Sequence, residues 1–170
     1  MKKSTRFLTH AAIIAAVYAV TTWLQYTLLP HTVSGMIQFR ASEGLMILAF
    51  FTPAAIPGLT LGCLLFNLTF AAALPLDWLV GSIATLGATL SMRRLRNIRV
   101  LNYPLPAMLM PALANGLLVG WELSLYIGGA FWLNALYVAI GEAAVLLTLG
   151  SLLYYIIRTR HLDSRLFGQR

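Results

Sequence analysis

Five ionisable side chains interrupt otherwise apolar stretches of this 170-residue chain, and they have the clearest capacity for chemistry. They are one arginine and four carboxylates: Arg40, Glu43, Asp77, Glu122 and Glu142. Four amide side chains accompany them, namely Gln38, Asn67, Asn115 and Asn134. Carboxylates accept hydrogen bonds from N–H groups, a guanidinium donates them, and amides do both. Such a set is suited to holding a polar solute.

Signatures of catalysis are missing from the sequence. It has no H-E-x-x-H, no G-x-S-x-G and no phosphate-binding loop ending in Gly-Lys. Cys63 is the only cysteine, and His10, His31 and His161 are far apart. We therefore expect a protein that binds a solute rather than an enzyme, with no cofactor and no metal.

The composition indicates a lipid environment. Hydrophobic residues make up 59% of the chain and charged residues 10%, and the mean hydropathy is +0.80. A soluble domain carries about 25% charged residues, so this chain could not cover its surface in water. At about 20 apolar residues per crossing, its length allows about six spans in one integral membrane domain covering residues 1–170.

The net charge of +7 comes from three basic clusters, which predict a topology. Apart from Arg40, all Lys and Arg lie near the N-terminus, in one linker or in the tail: Lys2, Lys3, Arg6; Arg93, Arg94, Arg96, Arg99; Arg158, Arg160, Arg165, Arg170. Short cytoplasmic loops accumulate Lys and Arg. Clusters placed between spans in this way are topology signals rather than a nucleic-acid site, with a weak attraction to anionic lipid headgroups as a further consequence.

A topology of six helices with both termini cytoplasmic places all three basic clusters on the cytoplasmic side. The apolar runs and the Pro, Gly and Asp breaks predict them at about 7–29, 36–51, 56–74, 78–92, 103–122 and 130–157. With this topology, polar residues from helices 2 to 6 gather in the outer half of the bundle. Because ionisable groups in a bilayer usually face a protein interior or a watery cavity, we expect a solute pocket there, in a multi-pass protein of the cell membrane.

Each charged residue also has a structural interpretation. Arg40 and Glu43, three apart on a predicted helix, could neutralise each other as an ion pair. Asp77 could be only the N-cap of helix 4, and Glu122 could sit in interfacial water. Glu142 is harder to explain in this way, since it lies midway along an apolar helix.

The amides and aromatic residues have similar alternatives. Asn67 and Asn115 could form hydrogen bonds between helices. Trp132 and Tyr137 share the helix of Asn134 and could stack on a flat ligand, although an interfacial belt is the usual place for Trp.

Helix 1 carries small residues at helical spacing. Two series of alanines are four residues apart: Ala11, Ala15, Ala19 and Ala12, Ala16. A small-xxx-small pattern lets another helix approach closely. The neighbour is either a helix of the same bundle or a partner subunit.

Several segments resemble one family of membrane transporters, the QueT family. The matching runs, in order along the chain, are QFRASEGL at 38–45, FFTPAAIPGLTLGCLLFNL at 50–68, LDWLVGSIATL at 76–86, PALAN at 111–115 and AIGEAAVLLTLG at 139–150. Gly44 replaces the alanine expected in S-E-A. The resemblance implies a six-helix substrate-binding S component of an energy-coupling factor (ECF) importer. Its expected partners are a transmembrane T subunit and two ATPase subunits, with the alanine face of helix 1 as the docking surface.

The cargo that the resemblance implies is a queuosine precursor, a 7-deazaguanine such as preQ0, preQ1 or queuine. We expect Glu142 to accept the N–H edge of the base, and Glu43 or Asp77 to meet an aminomethyl cation. Alternatives that the residues leave open are a solitary carrier, a vitamin-type S component for another small solute and, less favoured, a membrane enzyme or scaffold.

Overall fold

A computed structural model describes residues 3–33, 37–70 and 73–167, and the secondary structure in these ranges is helical apart from one isolated bridge between Val100 and Tyr103. The α-helices are α1 (Lys3–Leu28), α2 (Pro30–Val33), α3 (Leu48–Phe51), α4 (Ala55–Thr69), α5 (Asp77–Leu95), α6 (Leu105–Met108), α7 (Met110–Tyr126), α8 (Phe131–Val145), α9 (Ser151–Thr159) and α10 (Leu162–Phe167). A 3-10 helix, Ala41–Ile47, leads into α3, and a π-helical turn, Leu146–Gly150, joins α8 to α9.

The long helices form a ring. In order around it, α1 packs on α4, α4 on α5, α5 on α7 and α7 on α8. The 3-10 helix closes the ring, because it contacts α1 on one side and α8 with its π-helical turn on the other. The centre of the ring is therefore enclosed by six stretches of chain.

Glycines bring two helix pairs unusually close. A Cβ added to Gly58 or Gly62 of α4 would lie 2.7 or 2.8 Å from the carbonyl oxygen of Ala11 or Ala15 on α1. Gly120 of α7 lies similarly against the backbone of Ala135 on α8. In a bilayer, where water does not drive helices together, such close backbone contact is a main source of attraction.

Within the described residues, three helical stretches are long and apolar enough to cross a membrane: Ser4–Leu28, Leu105–Tyr126 and Phe131–Thr159. Two more apolar stretches are shorter, Ala41–Phe51 and Ala55–Thr69. Large apolar side chains such as Leu8 and Leu152 are more than half exposed on the outside of the bundle, as expected for contact with lipid. The chain is a helical membrane protein, and the count of six spans stays a prediction.

Several helix boundaries differ from the predicted ones. The predicted helix 2 starts at Met36, outside the described residues, whereas the observed helix starts at Ala41 and has 3-10 geometry through Ile47. Helix 3 was expected to reach residue 74 but α4 ends at Thr69, and residues 71–72 lie outside the described part. Helix 4 was expected to be short, whereas α5 has 19 residues, about 28 Å.

Both ends of the described chain meet at one end of the bundle, which we call the basic end. There the Arg6 Nη2 atom donates to the Leu166 carbonyl at 3.3 Å, and the His10 and Phe167 rings are 5.7 Å apart. Arg96 of the arginine linker and Arg158 of α9 line a common cavity. Residues from all three basic clusters are therefore on the same side of the molecule.

Candidate functional site

A polar cavity occupies the centre of the ring, towards the end opposite the basic end. Its walls come from the 37–43 segment and from α4, α5, α7 and α8. The lining residues are Gln38, Arg40, Glu43, Cys63, Asp77, Gly81, Thr85, Asn115, Val119, Val138 and Glu142. About 20 Å³ of the cavity is free for the centres of water-sized molecules. That free volume admits about one water molecule.

Side chains on one face of α1 form hydrogen bonds to the 37–43 segment, which supplies Gln38, Arg40 and Glu43 to the cavity. The Gln25 side chain accepts from the Ala41 N–H at 2.7 Å and donates to the Phe39 carbonyl at 2.5 Å. One turn earlier, the Thr22 and Ser42 hydroxyls are hydrogen-bonded to each other at 2.7 Å. One turn earlier again, the Tyr18 hydroxyl donates to Glu43. Hydrogen bonds from three successive turns of α1 thus hold this segment so that Arg40 and Glu43 reach the cavity.

Arg40 and Glu43 do not form the ion pair that their spacing suggested. Within the described residues, no Lys or Arg nitrogen lies within 4 Å of a carboxylate oxygen. Arg40 precedes the helix in extended conformation, so the two side chains lack helical spacing. Its guanidinium lies 5.7 Å from the centre of the Phe66 ring, and its Nε donates weakly to the Val33 carbonyl at 3.4 Å. The guanidinium is therefore held in place but still has donors for a ligand.

Glu142 enters the cavity from α8, next to the side chain of Asn115 on α7. It lies one turn before the π-helical turn, a distortion that is frequent at functional sites. Close packing fixes this part of α8, because any side chain at Gly141 would collide with the backbone carbonyl of Gln38. The Glu142 Oε1 atom is buried and accepts no hydrogen bond from the described residues.

Asp77 is in the first turn of α5 and faces the cavity, so the N-cap interpretation is wrong. The N-cap position is Leu76, and Asp77 is the first helical residue, with no capping hydrogen bond from its side chain. Asn67 takes a structural part here, because its Nδ2 atom donates to the Asp77 carbonyl at 2.9 Å. Asn67 is buried behind the cavity wall and does not line the cavity.

The structure leaves four other predicted site residues outside the cavity. Trp132 is 73% exposed and packs on Phe131, so it cannot be a stacking wall in this arrangement. Tyr137 is half-buried and does not line the cavity either. Asn134 donates to the Ser124 hydroxyl at 3.1 Å and the Gly128 carbonyl at 2.9 Å, which ties α8 to the preceding turn.

Glu122, the fourth, is fully buried near Asp77 but is not part of the cavity lining. The interfacial-water interpretation of this residue is therefore wrong. Neither of its carboxylate oxygens has a hydrogen-bond partner among the described residues.

Sequence reasoning missed several residues of the site. Five small or apolar residues complete the lining: Cys63, Gly81, Thr85, Val119 and Val138. Tyr18, which bonds Glu43 and is fully buried, was also missed. The available signal was that Tyr18, Thr22 and Gln25 are polar side chains on one face of an apolar helix.

The cavity has more acceptors than donors. Glu43, Asp77 and Glu142 face the single guanidinium of Arg40, a formal charge of −2. Glu43 Oε2 and Glu142 Oε1 are both buried without a donor in the described part of the chain. Leaving a buried acceptor unmatched costs about 1–3 kcal/mol. A ligand with several N–H groups, or with a positive charge, would offset that cost.

A bundle of apolar helices with a polar site at its centre is the arrangement expected of a membrane protein that binds a small solute. A sequence profile described as the QueT transporter matches residues 8–159, nearly the whole chain. The chain therefore belongs to the QueT transporter family, which is a family of transporters and not of enzymes. No curated protein and no solved structure matches it.

Proposed function

We propose that this protein is the substrate-binding S component of an ECF importer for queuosine precursors. The observation that carries the proposal is the central cavity, where two buried carboxylate oxygens without donors among the described residues, Glu43 Oε2 and Glu142 Oε1, lie beside one guanidinium and two amides. The family membership supports transport, and the cavity supports the class of solute. The solute is a 7-deazaguanine base with a cationic or neutral substituent.

The donors and acceptors of this base match the cavity. A guanine-like edge has two adjacent N–H donors, which one carboxylate accepts together, and we assign Glu142 to this edge. The carbonyl of the base accepts from Arg40 or from the amides of Gln38 or Asn115. An aminomethyl ammonium, where the precursor carries one, is matched by Glu43 or Asp77.

A two-ring base is much larger than the water-sized free volume of the cavity. Binding therefore requires its walls to separate. The 37–43 segment is the wall best suited to move, because side-chain hydrogen bonds rather than a continuous α-helix hold it to α1.

The three basic clusters support a cytoplasmic location for the basic end, as short cytoplasmic loops are rich in Lys and Arg. The cavity, near the start of α5 and far from Arg93 and Arg94 at its end, would then open to the exterior. This arrangement suits uptake across the cell membrane by a six-span protein.

The alanines of α1 separate into two faces that support different contacts. Ala11 and Ala15 are buried against α4, so this series packs within the bundle. Ala12 and Ala16 are exposed, and Ala19 is half-buried. We assign Ala12 and Ala16 to docking on the T subunit, which is coupled to the two ATPase subunits.

Equilibrium binding to the purified protein tests the proposal. We expect saturable binding of preQ1, preQ0 or queuine by isothermal titration in detergent, and no binding of thiamine or riboflavin at the same concentrations. Saturable binding of a vitamin, with none of the three deazaguanines, would assign the protein to another cargo.

A further inference from the structure

A second polar cavity lies at the basic end of the bundle, and none of its lining residues lines the central site. About 230 Å³ of this second cavity is free for the centres of water-sized molecules, compared with about 20 Å³ in the central site. Arg96 and Asn97 from the linker after α5 form one side, and Arg158 and Asp163 from the C-terminal helices form the other. The aromatic side chains of α3 and α9 form its apolar wall.

The two arginines of this cavity form no ion pair with the described residues, and aromatic rings position one of them. The Arg158 guanidinium lies 5.6 Å from the centre of the Phe51 ring and 5.7 Å from that of Tyr154, so cation–π contacts orient it. Within the described residues, neither Arg96 nor Arg158 has a carboxylate oxygen within 4 Å. Asp163 instead accepts from the Ser164 N–H at 2.9 Å.

Two guanidinium groups and an amide line this polar cavity and provide planar donors for an oxyanion. Phosphate is one of the anions whose geometry the guanidinium of Arg matches. Exposed apolar side chains directly follow lining residues on both sides of the cavity, Ile98 after Asn97 and Tyr155 after Tyr154. A free phosphate would not use these apolar borders, whereas acyl chains would. Basic pockets between membrane helices are typical sites for lipid headgroups.

We propose that this cavity binds the phosphate of an anionic phospholipid headgroup in the leaflet at the basic end, with Arg96 and Arg158 as its cationic ligands. The bound lipid would join the linker after α5 to the C-terminal helices. These two segments come from distant parts of the chain, and the headgroup bridges them by charge.

Native mass spectrometry of the full chain, released from detergent containing equal phosphatidylglycerol and phosphatidylcholine, tests this site. We expect preferential retention of phosphatidylglycerol. Arg96→Gln and Arg158→Gln should each reduce that preference about fivefold, as one Arg near an anionic surface contributes about that factor. Arg160→Gln is the matched control, since Arg160 is exposed and does not line the cavity, and it should leave the preference unchanged.

Arg158→Lys keeps the positive charge and controls for unfolding in the glutamine variants. We expect it to retain most of the preference for phosphatidylglycerol. Equal retention of both lipids by the unmodified protein would overturn the proposal. So would an equal loss in Arg160→Gln, which would indicate general surface charge. Displacement of the lipid by millimolar inorganic phosphate would also overturn it and assign the cavity to a free anion.

Discussion

Replacing Glu142 with glutamine tests the assignment of the base edge, because it removes one charge with almost no change in volume. Glu142 is 5% exposed and its Oε1 atom has no donor in the described part of the chain. A hydrogen bond to a charged group contributes about 1.5–3 kcal/mol. The substituted amide also points an N–H₂ group at a ligand donor. We therefore expect the Kd for preQ1 to rise by about ten- to a hundredfold, equivalent to about 1.4–2.7 kcal/mol.

The assay is isothermal titration of preQ1 into purified protein, with thermal unfolding of each variant measured in parallel. Glu122→Gln is the matched control. Glu122 is also a fully buried glutamate without a hydrogen-bond partner among the described residues, but it does not line the cavity. We expect the Glu122→Gln Kd to stay within about twofold of the unmodified protein, less than 0.5 kcal/mol. An unchanged Kd for Glu142→Gln, or a larger loss in the control, would refute the assignment.

Three further predictions concern the support of the site, the packing of the bundle and the docking face. Tyr18→Phe removes the hydroxyl that donates to Glu43 and should weaken preQ1 binding about three- to tenfold. Tyr26→Phe is the control and should not weaken binding, so equal titration curves for the two variants would contradict this role of Tyr18. Gly62→Ala places a Cβ 2.8 Å from the Ala15 carbonyl oxygen and should destabilise the protein by about 1–3 kcal/mol. Gly87→Ala is the control, because a Cβ at position 87 has no atom within 4 Å, and it should not lower the thermal midpoint. An equal fall of the midpoint in both variants would show that the loss does not come from the α1–α4 contact. Ala16→Trp should abolish uptake of labelled preQ1 in cells while the Kd for preQ1 stays unchanged. Leu113→Trp, on the exposed surface of α7, should change neither the uptake nor the Kd. Normal uptake by Ala16→Trp would show that this face of α1 is not the docking surface.

The convergence of polar residues could be predicted from the sequence because burying a charge is costly whatever the fold. Arg40, Glu43, Asp77 and Glu142 occur in apolar runs, and only a shared polar interior satisfies all four at once. The structure brings them to one cavity together with Gln38 and Asn115. This part of the reasoning needed only the approximate depth of each residue.

Residues whose roles depend on local backbone geometry could not be assigned in this way. The apolar run after Arg40 has the same composition whether it forms an α-helix or a 3-10 helix. The i,i+3 ion pair with Glu43 was one interpretation of the spacing, and it does not form because Arg40 is extended. Hydrogen bonds from α1 to the backbone of Phe39 and Ala41 decide that geometry. Trp132 shows the opposite difficulty, since a tryptophan near a helix end suits a ligand wall or a lipid surface equally well.

The alanines of α1 show that a sequence pattern does not identify the neighbour that packs against it. Spacing by four identifies two surfaces on one helix but cannot say which of them a neighbour covers. The glycines of α4 decide it, because Gly58 and Gly62 admit the backbone at Ala11 and Ala15. Only the other face, with Ala12 and Ala16, is left for a subunit outside the bundle.

An experimental structure of the protein with preQ1 tests the central claim most directly. We expect density for the base between Arg40, Asn115 and Glu142, with the 37–43 segment displaced to make room. Density for preQ1 at any other position, such as the apolar groove lined by His10, Leu45 and Phe167, would contradict the account.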